Sequence, residues 1–364
     1  MSLKKGGWLL VMNNEKVIAF PHLGDYSYPI TFLVNNLCDA TILDTPPITK
    51  RTIELGSKYS PDFVCIPFKY NMGNFIEALE GGANVLIQAG GGCRYGYYAE
   101  VQEKILKDLG YKFDFCTLTD GDSLTPITLY KKFKSINEKL SFTKFAYYTL
   151  LTLLMINYMD NVDDYIRLNI GFEVNKGDFL KLKDKMLNDF IETKSFIKLF
   201  RKYLKYKKKF KNIKINKPTK RLKIGIIGEL YTSMEPFASY DLEAELANMN
   251  IEVKRFTNVT YLLVKKARES KKMLRYIRKY VKHKIGADGL DNVYRAKKLI
   301  DEGYDGLIHI KPFGCSPEIG AIPIIDKVCK DNNMPIIYLS FDNQTSRENI
   351  KTKLEAFYDM ISLK

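Results

Sequence analysis

What this sequence lacks narrows the field first. Six cysteines in 364 residues are too few for a disulfide framework. No CxxC pair occurs among them, and their spacing is not that of a compact ferredoxin. The phosphate-binding pattern GxxxxGK[ST] is missing, so ATP hydrolysis by this chain alone is not expected. With three histidines in all, no Ser-His-Asp arrangement can be read. The opening "MSLKKGGWLLVMNNEKV" lacks the apolar run of a signal peptide. The most apolar stretch, "FAYYTLLTLLMINYM", is shorter than the roughly 20 residues of a membrane span. A soluble cytoplasmic protein with reduced thiols is expected, with no membrane partner.

Acidic residues are scarce in one place above all. Residues 181–221 hold 16 Lys or Arg and 3 Asp or Glu, so 13 of the 15 net positive charges lie there. The rest of the chain is close to neutral. A charge so localised reads as a solvated helical face, with a functional anion or nucleic-acid patch as the alternative.

What is present is a regular alternation. "KVIAF", "DATILD", "FVCIPF", "ANVLIQAG" and "KFDFCTL" read as strands. "YPITFLVNNLC", "GNFIEALEGG" and "YYAEVQEKILKDLG" between them read as helices, the last two closed by glycine. From about residue 131 to 218 the pattern is wholly helical. There Met186, Phe190, Ile197, Phe200 and Leu204 fall mostly at three- and four-residue steps and predict a core stripe. The "KYKKKFKNIKINKPTKRLK" run closes this segment as a helix end and linker, with Pro218 at the boundary. "LKIGIIGEL", "IEVKRFT", "GLIHI" and "MPIIYLSFD" then supply strands of a second unit, separated and followed by helices. The fold class is α/β: two doubly wound, Rossmann-like parallel sheets over residues 1–130 and 219–364, with a helical middle at 131–218.

In such sheets ligands bind outside the carboxyl ends of the strands. Three cysteines satisfy that rule. Cys65 lies in "FVCIPFK", Cys93 in "QAGGGCRYG" and Cys315 in "PFGCSPE", each near a strand end, the last two in a turn before a helix. All three can face one crevice between the α/β units. Helix N-termini there favour thiolate over thiol. Cys38, Cys116 and Cys329 sit in amphipathic or apolar segments and are expected to be packing residues. Three thiolates from distant segments make a soft metal site, with iron–sulfur and zinc as candidates. Spacing alone leaves that reading open against three unrelated turn cysteines.

"FPHLGDYSYPITFLVNNL", "SPDFVCIPFKYNMGNFIEALEGGANVLI", "GGGCRYGYYAEVQEKILKDLG", "IGIIGELY" and "DGLIHIKPFGCSPE" occur in that order. Together they resemble the 2-hydroxyacyl-CoA dehydratase component family, nearest to the uncharacterised branch associated with CoA-substrate-specific enzyme activases. The resemblance covers about residues 17–130 and 220–360. It implies a [4Fe-4S] cluster held by Cys65, Cys93 and Cys315, with one iron lacking a protein thiolate. It implies an ATP-dependent activase as electron donor, an acyl-CoA substrate, and a homo- or hetero-dimer with a related component. The activity implied is a lyase or reductase one. A non-catalytic accessory or electron-relay role is the alternative, because the chain carries no ATP domain and no acyl-CoA pocket is legible. A related branch with a larger double-cubane cluster needs more thiolates than the three remaining cysteines supply.

Other residues belong to the same crevice by their place in the chain. His22 in "FPHLGDY" and Glu229 in "IGIIGELY" follow first strands and are candidates for proton transfer. A structural histidine and a helix cap are their plainer readings. Arg94 and Lys69 are candidates for binding an anionic substrate. Glu318, near a helix start, is explained by the helix dipole. His309 is expected to be structural, and His283 in the basic "RKYVKHK" helix to be solvated.

Overall fold

A computed structural model describes residues 15–43, 46–118, 125–283 and 285–363. Two parallel sheets organise the chain. The first holds β1 (Val17–Ala19), β2 (Thr41–Ile42), β3 (Val85–Gln88) and β4 (Asp114–Thr117) in the order β2-β1-β3-β4. The second holds β5 (Lys223–Gly228), β6 (Glu252–Arg255), β7 (Gly306–Pro312) and β8 (Ile336–Phe341) in the order β6-β5-β7-β8. Register runs Ile18↔Val85 across the first centre and Ile226↔Ile308 across the second. The strand order reverses between β1 and β3 and between β5 and β7, which makes each of these gaps a ligand crevice.

The strands read as near-continuous apolar runs because both faces are covered. Ile18, Val85 and Ile87 enter one core of the first sheet, and Ala19 and Leu86 the other. Ile224, Ile226, Ile308 and Ile310 face one side of the second sheet, and Ile227 and Leu307 the opposite side.

The first sheet is joined by α1 (Ser27–Leu37), α2 (Lys50–Tyr59), α3 (Ile66–Glu80) and α4 (Tyr98–Asp108). Residues 63–68 were expected to be a strand; instead Cys65 caps α3 and Ile66–Phe68 form its first turn. Pro67 explains the difference, since proline is pre-set for a first helical turn and offers no N–H to a ladder. α2 and α3 pack backbone to backbone. A Cβ on Gly56 would meet the Lys69 carbonyl at 1.8 Å, and one on Gly73 the Thr52 carbonyl at 2.0 Å.

α5 (Pro126–Ile136) returns Phe133 and Ile136 to the first sheet's core. The helical middle is α6 (Phe142–Asn169), α7 (Asp178–Ile191) and α8 (Phe196–Lys211). The predicted core stripe divides there. Met186 and Phe190 are buried, whereas Ile197, Phe200 and Leu204 are exposed. The chain turns between α7 and α8, which resets the helical phase; α8 buries Leu199, Tyr203, Tyr206 and Phe210 instead.

Around the second sheet lie α9 (Leu230–Met234), α10 (Leu242–Asn248), α11 (Lys266–Tyr276), α12 (Gly289–Asp301), α13 (Ser316–Asp331) and α14 (Arg347–Ser362). His283 falls in a bend beyond the end of α11 rather than in a helix. No helix among the described residues is long and apolar enough to cross a membrane.

Candidate functional site

Helices that cross over between parallel strands run antiparallel to them, so their N-termini gather at the sheet's carboxyl edge. Four such starts meet between the two sheets. Cys65 caps α3, Cys93 caps the short 3-10 turn Arg94–Tyr97, Cys315 caps α13, and Glu229 caps α9. Gly228 is what lets β5 deliver Glu229: with φ at +139° and Ile310 O only 1.9 Å from a Cβ built there, the position excludes a side chain.

The three cysteines chosen from the sequence are brought together, and none is in a disulfide. Cys65 lies close enough to feel the charge of Cys93 and Glu229, Cys315 that of Glu229 and Cys65, and Cys93 that of Glu229. The expectation of thiolates is corrected. Burial pushes the Cys65 thiol up to about 11, holds Cys315 well above the ordinary thiol range, and raises Cys93. Desolvation here outweighs the helix N-termini. Cys38, Cys116 and Cys329 are buried in the cores of the two sheets.

Tyr98 places its hydroxyl 2.7 Å from Cys65 Sγ and packs edge-on against Phe68. Tyr95 lies beside it and accepts a hydrogen bond from Asn71 at 2.8 Å. Glu229 accepts from the Tyr231 and Thr232 amides at 2.9 and 2.8 Å and from the Thr232 hydroxyl at 2.8 Å. Burial nevertheless raises its carboxyl to about 7, with Asp288 adding to the rise.

His22 is tied to the second domain. Its Nδ1 lies 2.8 Å from Glu235 Oε2, which also accepts from the Gly24 amide at 2.6 Å. Tyr231 donates its hydroxyl to His22 O at 3.1 Å, so it connects the His22 turn with the Glu229 cap. Arg94, expected to meet substrate, spans the crevice instead. Its guanidinium donates to Gly314 O at 2.9 Å and lies 3.3 Å from Ser316 Oγ. It clamps the Cys93 loop onto the Cys315 turn. Lys69 sits one turn into α3 from Cys65, and no hydrogen bond or ion pair among the described residues ties it to the thiols.

Beneath Cys315 lies a buried polar group. His309 Nε2 is 2.7 Å from Glu318 Oε2, and Asn292 donates to Glu318 and to Gly228 O while accepting from the Gly228 amide. Glu318 is therefore a buried partner of His309 and not simply an acidic first turn. Asn292, Tyr98 and Glu235 escaped sequence reasoning. Only the aromatic run "RYGYYAE" beside Cys93 hinted at Tyr98.

No three described His, Cys, Asp or Glu side chains converge as they would around one metal ion. A single zinc, one of the two candidates from the sequence, finds no such site among the described residues.

Fold and site together define a Rossmann-like α/β protein with two parallel sheets, in which Cys65, Cys93 and Cys315 lie near Glu229. The sequence profile of the 2-hydroxyglutaryl-CoA dehydratase, D-component, family matches residues 172–361. That is just over half of the chain, and the chain belongs to this family. The matched span includes Glu229 and Cys315 but not His22, Cys65 or Cys93. No curated protein matches the chain.

Proposed function

We propose that this chain is an iron–sulfur component of the dehydratase type. Cys65, Cys93 and Cys315 would hold a [4Fe-4S] cluster in the crevice, for low-potential electron transfer or for radical dehydration or reduction of an acyl-CoA-like substrate. What supports this reading is that three helix-capping thiols, drawn from both sheets, each lie near enough to Glu229 to feel its charge. Cysteine thiolates are the usual ligands of iron–sulfur centres, so the donor chemistry suits such a centre. When bound, such a cluster supplies a low-potential electron and one iron with an open ligand position.

The protein's own groups prepare that chemistry. Each thiol must lose its proton to bind iron, so loading releases protons and is favoured by rising pH. The helix N-termini turned toward the crevice oppose the cost of the negative charge that results. Once Cys65 is a thiolate, the Tyr98 hydroxyl 2.7 Å away is its donor, which favours that state. Glu229, with its carboxyl near 7, is assigned to holding or releasing a proton at neutral pH. His22 has Nδ1 engaged by Glu235, and Nε2 is the nitrogen left for proton exchange. With no phosphate-binding loop in the chain, the electron must come from a partner; an ATP-dependent activase and a related second component are the partners this reading requires.

Anaerobic reconstitution with iron and sulfide analysis tests it. About four irons and four sulfides per chain are expected in the wild type. Cys65→Ala, Cys93→Ala and Cys315→Ala are each expected to lose most of that iron, and Cys38→Ala and Cys329→Ala to keep it. Unchanged iron content in Cys315→Ala would overturn the assignment.

A further inference from the structure

Away from the crevice, α8 and the adjoining face of α6 carry an exposed apolar strip. Ile197, Phe200 and Leu204 are 65%, 48% and 47% exposed on α8, and Leu150 and Tyr147 are 58% and 41% exposed on α6. Ring contacts join the two helices along this strip, Tyr147 to Phe196 at 5.1 Å and Tyr158 to Phe200 at 6.4 Å. Around it α8 displays seven lysines and Arg201 and no acidic residue. Among the described residues, only Lys202 of these eight forms an ion pair, with Asp189 at 4.0 Å. The opposite face of α8 is locked into the helical core through Leu199, Tyr203, Tyr206 and Phe210.

We propose that this α6–α8 face binds an anionic membrane surface. Three features favour that occupant. Charge of one sign, with no acid to set a register, matches a fluid anionic layer and opposes pairing with a second copy of the same helix. Lysine dominates over arginine, whereas protein interfaces are depleted in lysine and enriched in arginine. Lysine stems instead snorkel along apolar surface at a bilayer interface. Ile197, Leu204 and Leu150, three of the five side chains in the strip, are aliphatic; they have no use against phosphates and bases, but they can enter the acyl boundary. Because the helix is already folded and anchored, docking requires no new ordering of the backbone. This departs from the expectation of no membrane partner, which rested on the lack of a spanning segment.

Co-sedimentation of the full chain with vesicles tests the proposal. Binding is expected to vesicles of equal parts phosphatidylglycerol and phosphatidylcholine, and not to phosphatidylcholine alone. Lys205→Gln and Lys208→Gln should each weaken it about five-fold. The Phe200→Ser, Leu204→Ser double variant should weaken it at least about tenfold, with an unchanged circular dichroism spectrum because both side chains are exposed. Three results overturn the proposal. One is no binding to anionic vesicles at low salt, which leaves an acidic protein as the occupant. Another is equal binding by the double serine variant, which means adsorption by charge alone. The third is displacement of vesicles by single-stranded RNA that the serine variant still binds, which makes the face a nucleic-acid site.

Discussion

Glu229 is pulled two ways. The Tyr231 and Thr232 donors favour its carboxylate, and burial favours the acid; burial wins and lifts the group from 4.5 to about 7. Between those values the folded chain binds more proton than the unfolded chain. Its contribution to stability is therefore present at low pH and is lost as pH rises through that window. Relative to Glu229→Gln, the wild type is expected to lose up to ~3 kcal/mol between about pH 5 and pH 8. Urea titrations of both proteins across that range measure the difference, and a difference that stays flat with pH would refute the assignment. At this scale the sequence was informative about Cys93 and Cys315, because loops after strands point to one edge of a sheet, whereas Cys65 sits at a helix start that follows α2. It was silent on their protonation, which depends on how far the fold withdraws each sulfur from water, from the exposed Cys93 to the half-buried Cys65 and Cys315. It was silent also on Tyr98 and Glu235, whose partners lie 33 and 213 positions away along the chain.

Among the elements, α8 is the instructive one, since it has two apolar faces and only one is core. Leu199→Ala is expected to cost about 2–5 kcal/mol, because it empties a fully buried site. Leu204→Ala, on the exposed strip, should stay within about 0.5 kcal/mol. Thermal or denaturant unfolding of the two variants decides between the faces. Periodicity misread them because it was carried from Phe190 to Ile197 across a turn, and phase does not survive a break in the helix. Most strands were legible for the opposite reason: an apolar run of four to six residues buried on both sides needs no phase. Two local signals went unused. Pro67 marked the start of α3, and the Thr49 and Thr52 pair that caps α2 marked a helix no strand-and-helix alternation required.

On the scale of the whole molecule, the crevice exists only because both halves of the chain close on it. Glu235 joins to the first domain by holding His22 and Gly24, and the Arg94 guanidinium reaches the other way to Gly314. Tyr26 and the Thr260 amide both bond Asp160, so α6 is tied into the same junction. Glu235→Ala leaves the Gly24 amide and His22 without their acceptor. It is expected to cost about 2–4 kcal/mol and to reduce the cooperativity of unfolding, read from the denaturant midpoint and slope. Glu235→Gln, which keeps an acceptor oxygen, should cost less.

That clamp between Arg94 and the Cys315 turn has a consequence for how a cell makes this protein. Cys315 follows Cys93 by 222 positions. At ordinary translation speeds the ribosome therefore adds it roughly 10–45 s later. Throughout that interval Cys65 and Cys93 belong to a growing chain whose Cys315 turn has not yet been made. The Cys315 turn is made after β7 and before α13, β8 and α14. A message cut short before codon 315 yields a chain whose Arg94 has no Gly314–Ser316 turn to hold.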